Sequence, residues 1–274
     1  MFLASIVEII QYMKEPILVG ILLSISAAML GVILVLKRYS MIGDGLSHVG
    51  FGAFAVALAL NQEPLFVALP IVIVAAYVLL RMGESKKLKG DAAIALISSS
   101  ALAIGYLVGN LSNGFSADIA SYMFGSITTA TTQDLYYILP ITALLIILFI
   151  AFQNRIFAVT FDENFAKAMG IRTKLYNIGL SIVTAVIVVL GIRIMGTLLI
   201  SSLIIFPALT SMRLFRRFKW TMWISMLISV VCFLIAFFCF TKYSSAASIV
   251  LVNLGFYIIA TIVSIIKRKR KIKN

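Results

Sequence analysis

Charge is scarce in this sequence. Asp, Glu, Lys and Arg make up 12% of its 274 residues, against roughly 25% in a soluble globular domain. That shortage excludes an ordinary soluble fold. Runs of about ten alternating residues are missing too, which argues against a membrane β-barrel. No Gly-x-x-x-x-Gly-Lys-Ser/Thr loop occurs, so the chain does not cradle ATP phosphates in that way. There is one histidine; a metalloprotease helix needs two, and no nucleophile–base pair suggests a membrane-embedded hydrolase. No basic segment precedes the first apolar run, and Glu8 interrupts it, so a secretory leader is not expected. The two cysteines, Cys232 and Cys239, have no His or carboxylate nearby and read as packing or lipid-facing residues.

What is present is apolar: 62% of the residues, with a mean hydropathy of +1.11. The pattern predicts an all-α polytopic integral membrane protein with eight or nine spans, near 16–36, 42–60, 64–81, 91–110, 134–152, 174–192, 194–212, 220–240 and 245–266. The net charge of +13 is distributed as a topology signal. Of the 23 Lys and Arg, all but Lys14, Arg193 and Lys242 follow an odd-numbered span. Positive charge marks the cytoplasmic face. The C-terminus is therefore expected inside, and nine spans put the N-terminus outside. Reading 42–60, short and glycine-rich, or 194–212, with Pro207, as re-entrant reverses the N-terminus. The basic tail 267–274 anchors this topology and suits anionic lipid; no nucleic-acid partner is expected. Residues 1–15 form a candidate interfacial helix, with Phe2, Ile6, Ile9 and Ile10 on one face. A short outer helix is expected around residues 116–124. No linker, repeat or second domain interrupts residues 1–274.

Nine of the ten acids fall in termini, loops or span openings; Asp91 and Asp134 read as helix caps. Arg193 reads as a turn residue that reaches toward headgroups. Asp44 differs. It enters the second span within an otherwise uncharged stretch, where a carboxylate costs about 2.5–3.5 kcal/mol if it reaches mid-membrane. His48 follows four residues later, on the same helical face. The bland reading is a helix cap beside a packed histidine; the functional one is half of a four-ligand metal site. Gly43 and Gly45 permit close packing or close approach of a ligand, and Ser47 is a small polar neighbour able to orient one. One Asp and one His hold a divalent ion poorly. A two-fold axis beside this helix supplies two of each, and two carboxylates neutralise a divalent cation. Nitrogen and oxygen donors suit Zn²⁺ or Mn²⁺, imidazole favouring zinc.

The stretch Gly43-Asp44-Gly45-Leu46-Ser47-His48-Val49-Gly50 resembles the Gly-Asp-x-x-Ser-His element of the membrane permeases of bacterial zinc and manganese ATP-binding-cassette importers. Residues 91–105, 161–170 and 191–208 resemble further elements of that family in the same order, so the likeness covers almost the whole chain. The resemblance implies a permease subunit, not an enzyme, in the bacterial cytoplasmic membrane. It implies a homodimer, two cytoplasmic ATPases and an external metal-binding protein as partners. It also implies that Asp44 and His48 are metal ligands or gate residues on the path of transported Zn²⁺, with Mn²⁺ as the alternative. A proton-coupled secondary transporter, with Asp44 as proton carrier, is the competing class.

The ATPase needs a dock, and the inner loop 153–174 is the expected place. Phe161, Phe165, Ala166 and Met169 form one apolar face of a short helix there. Asp162, Glu163 and Lys167 are polar, and Gly170 ends the helix.

Overall fold

The structure, a computed structural model, describes residues 13–83, 90–111, 123, 125, 127–239 and 245–273. The expected interfacial segment falls outside these residues except at its last three positions, and so does the outer helix around 116–124 except for Met123.

Apolar runs this long must satisfy their own backbone groups in lipid, and the helix does so within one segment. The helices are α1 (Lys14–Leu36), α2 (Ile42–Ala59), α3 (Pro64–Gly83), α4 (Gly90–Leu111), α5 (Thr132–Phe161), α6 (Glu163–Ala168), α7 (Thr173–Met195), α8 (Thr197–Leu214), α9 (Phe218–Cys239) and α10 (Ser245–Lys273). A 3₁₀ turn at Ile127–Thr129 precedes α5. All but α6 are long and apolar enough to cross a membrane, which gives nine spans among the described residues. The two segments with a possible re-entrant reading are both full helices of 18 residues, about 27 Å long.

The enclosed helices are α1, α2, α7 and α8; α10 is the most peripheral. α2 lies against α3, α4, α7 and α8, while α1 lies against α5, α8 and α9. Buried hydroxyls tie helices together where lipid offers no partner. Ser26 and Thr142 meet at 2.8 Å between α1 and α5.

Several boundaries differ from the sequence reading. The first span begins at Lys14, two residues inside the expected interfacial segment. α5 runs nine residues past the expected end at 152, through a kink at Phe152 (φ −114°, ψ 17°). α10 continues through the basic tail to Lys273. In both extensions helical hydrogen bonding outlasts the apolar run, because polar residues leave the hydrocarbon without leaving the helix.

Contacts between distant segments identify the two ends of the bundle. At one end the Tyr39 hydroxyl donates to the Leu80 carbonyl at 3.3 Å, and the Lys37 ammonium donates to Asn177 Oδ1 at 2.6 Å. Three basic connections therefore meet there. At the other end Gly196 (φ +84°) turns α7 into α8, and the Thr197 hydroxyl donates to the Met123 carbonyl at 3.1 Å.

Candidate metal centre

Asp44 stands in the first turn of α2, whose N-cap is Met41. It is thus not the cap itself; its charge complements the helix N-terminus from inside the turn. His48 Nε2 lies 3.7 Å from Asp44 Oδ2, with the two side chains 26% and 39% exposed. A tetrahedral ion bonded at about 2.0–2.1 Å to each atom spans them by roughly 3.4 Å. A small side-chain rotation closes that gap, so the pair can grip one divalent cation through two donors. Among the described residues no group of three or more His, Cys, Asp or Glu could hold a metal ion. His48 Nδ1 is buried and has no hydrogen-bond partner.

Ser47 is fully buried and donates its hydroxyl to the Asp44 carbonyl at 2.7 Å. That bond is spent on the backbone and does not orient His48. The glycines act through packing. A Cβ on Gly43 would stand 3.0 Å from Ile204 of α8, and one on Gly45 would stand 2.5 Å from Ile94 of α4. Helical spacing leaves Asp44 and His48 on the strip between these two contacts.

The expected docking element is α6, six residues long. Asp162 is its N-cap, its carboxylate accepting from the Phe165 N–H at 3.0 Å. Gly170, at φ +77°, closes it: the Gly170 N–H donates to the Lys167 carbonyl and the Ile171 N–H to the Ala166 carbonyl, each at 3.0 Å. That pair is a Schellman closure, which a left-handed glycine permits. The expected single apolar face is divided. Ala166 is buried, while Phe165 and Met169 are 58% and 61% exposed. Phe161 ends α5 and packs on Phe157 and Phe218.

Glu163 holds α6 to the bundle. Lys167 lies 2.9 Å from its carboxylate, and Asn177 Nδ2 donates to it at 3.2 Å. Asn177 in turn accepts from Lys37 at the end of α1. Burial pushes the Glu163 carboxyl up, but hydrogen bonds from Lys167 and Asn177 and the charges of Lys37 and Lys167 outweigh it and hold the group below its ordinary 4.5.

One ion pair escaped the sequence reading. Arg193 Nε lies 3.6 Å from Asp134 Oδ1, so Arg193 does not simply reach for headgroups. Asp134 is buried and also accepts from the Thr131 N–H and hydroxyl at 2.9 and 2.8 Å. Thr131 is the N-cap and Asp134 its capping-box partner. The available signal was the coincidence of a lone cation and an acid on the same expected face.

A family model described as "ABC 3 transport family" matches residues 9–264. The high-affinity zinc uptake system membrane protein ZnuB of Buchnera aphidicola subsp. Acyrthosiphon pisum is 30% identical over 71% of this chain and 74% of its own. The manganese import system permease protein ScaB of Streptococcus parasanguinis is 24% identical over 77% of this chain and 75% of its own. Among solved structures, "PsaBC from Streptococcus pneumoniae in complex with Fab" superposes with a TM-score of 0.85 at 24% identity, covering 99% of this chain and 100% of that one. That likeness establishes the fold.

Proposed function

The chain belongs to the ABC 3 transport family, and on that premise we propose that it is the permease subunit of an ATP-driven importer of a divalent transition metal, with zinc as cargo. The observation that carries this reading is the Asp44–His48 pair, 3.7 Å apart and partly exposed, within a bundle that supplies no third ligand among its described residues. A second copy completes the set: two carboxylates and two imidazoles around one ion, nearly neutral when filled. Nε2 is the His48 nitrogen that faces Asp44, whereas Nδ1 is buried in the protomer, so Nε2 is the donor offered to a shared ion. α4, which borders α2, exposes Asp91, Ser99 and Ser100, polar groups that suit a subunit seam or a wet path better than lipid.

The residues divide the work. Asp44 and His48 strip water from the ion and hold it. Gly43 and Gly45 keep α4 and α8 close enough to fix that face of α2. Asp162, Glu163 and Gly170 build α6, and Phe165 and Met169 present it to a cytoplasmic ATPase. Ala166 is the inward anchor. ATP binding and hydrolysis in that partner rock the two permeases, and the site opens to each face in turn. An external metal-binding protein delivers the ion. Residues 1–274 act as one permease domain with the C-terminus in the cytoplasm.

Zinc is favoured by imidazole and by the ZnuB likeness; manganese is the second reading, supported by the likeness to ScaB. The decisive experiment is metal analysis of the purified complex, wild type beside His48→Ala. One zinc per permease pair, lost in the variant, is expected. Equal metal in both would remove the pair from the mechanism, and manganese in place of zinc would change the cargo but not the site.

A further inference from the structure

We propose that the groove between α1, α5 and α7 binds an anionic phospholipid, one acyl chain in the groove and the phosphate at its basic rim. The groove encloses about 320 Å³, and its walls are almost wholly apolar, among them Ile33, Phe149, Phe152 and Leu180. Phe152, which lines it, marks the point where the α5 backbone leaves helical geometry.

Gly179 supplies an independent observation. It lines the groove in the second turn of α7, yet a Cβ there would meet nothing within 4 Å. Glycine is a poor helix residue, and no neighbour requires it. Gly255 of α10 is as open but does not line this groove, whereas Gly179 does.

The rim is cationic. Lys37 lines the groove with its ammonium donating to Asn177, and the Arg155 guanidinium stands 5.7 Å from the centroid of the Phe152 ring. Arg172 and Lys174 line an adjoining concavity that shares Leu175 with the groove. Both are exposed. Glu163, whose carboxylate reaches Asn177 of the groove wall, is already engaged by Lys167 and Asn177. An apolar slot that ends in several cations at the basic end of the bundle fits an anionic amphiphile. It does not fit a free anion, which leaves the slot unfilled, or a zwitterionic lipid, whose ammonium meets like charge.

The test is native mass spectrometry of the full chain after reconstitution into nanodiscs of equal parts phosphatidylglycerol and phosphatidylcholine. The wild type is expected to retain phosphatidylglycerol about tenfold over phosphatidylcholine. Gly179→Leu fills the slot and loses both lipids. Arg172→Glu with Lys174→Glu, both on the surface, abolishes the preference while a lipid still binds. Equal retention of the two lipids by the wild type would overturn the proposal. So would a preference that survives the double charge reversal, or undiminished retention by a folded Gly179→Leu. A photoreactive side chain at position 179 that links to a second copy or to the ATPase instead of lipid would also overturn it.

Discussion

Two glycines in different spans should respond to the same substitution with opposite sign. Gly105 of α4 faces Gly52 of α2, and a Cβ on Gly105 would lie 2.7 Å from the Gly52 Cα. Carbon atoms rest at about 3.5–4.0 Å, so Gly105→Ala must push α4 off α2 by about 1 Å. The obstacle is backbone and cannot rotate away. Overpacking of this kind costs about 1–3 kcal/mol, against a helix-propensity gain of up to about 1 kcal/mol for alanine over glycine. With the full propensity gain the net loss is up to about 2 kcal/mol. At Gly179, where nothing lies within 4 Å of the added methyl, only the gain remains, up to about 1 kcal/mol. The assay is thermal unfolding of the full chain in one detergent, all three proteins side by side. Gly105→Ala should melt several degrees below the wild type and Gly179→Ala slightly above it. Gly105→Ala should also transport less metal, because α2 carries Asp44 and His48. Two shifts of the same sign would refute the reasoning, since they would show that helix propensity and not interhelical clearance governs both positions.

Asp44→Ala is expected to abolish zinc-dependent growth while the permease still folds and assembles; normal growth would exclude Asp44 from transport. Arg193→Gln leaves Asp134 Oδ1 without its cation, an expected loss of about 1–2 kcal/mol once the partial exposure of Arg193 is discounted. Adding Asp134→Asn should cost little more, and strictly additive melting shifts would show that the two do not interact. Gly170→Val meets no neighbour within 4 Å but forces a branched residue to φ +77°, a strain of about 1–3 kcal/mol. It should release the ATPase during co-purification whereas Gly170→Asn retains it; release by neither would place the dock elsewhere. Because the folded Glu163 carboxyl titrates below its ordinary 4.5, its contribution to holding α6 is complete above that value and is lost as pH falls through the lowered one. Protection of the α6 amides, taken relative to the intrinsic exchange rate at each pH, should therefore fall only on acidification below 4.5, and should fall at a higher pH in Lys37→Met; identical profiles would deny the Lys37 charge its role.

The spans were legible in the sequence because crossing a membrane is a local property: about 20 apolar residues suffice wherever they lie. Asp44 and His48 were legible as a pair for a similar reason, since helical periodicity alone brings residues four apart together. Gly170 announced its turn by being glycine after an amphipathic segment. The rest depended on partners far away in the chain. That Ala166 turns inward while Phe165 turns out follows from where α6 lies against α5 and α7. The end of α5 was misplaced because Gln153, Asn154 and Arg155 read as a loop although their backbone stays helical. The tie from Glu163 through Asn177 to Lys37, the pairing of Arg193 with Asp134, and the groove that Gly179 keeps open each join segments whose separation no local pattern records. Sequence determines what each helix must bury or expose to lipid; only tertiary packing decides which helix meets it there, because that choice is made by shape and charge matching between segments that are strangers along the chain.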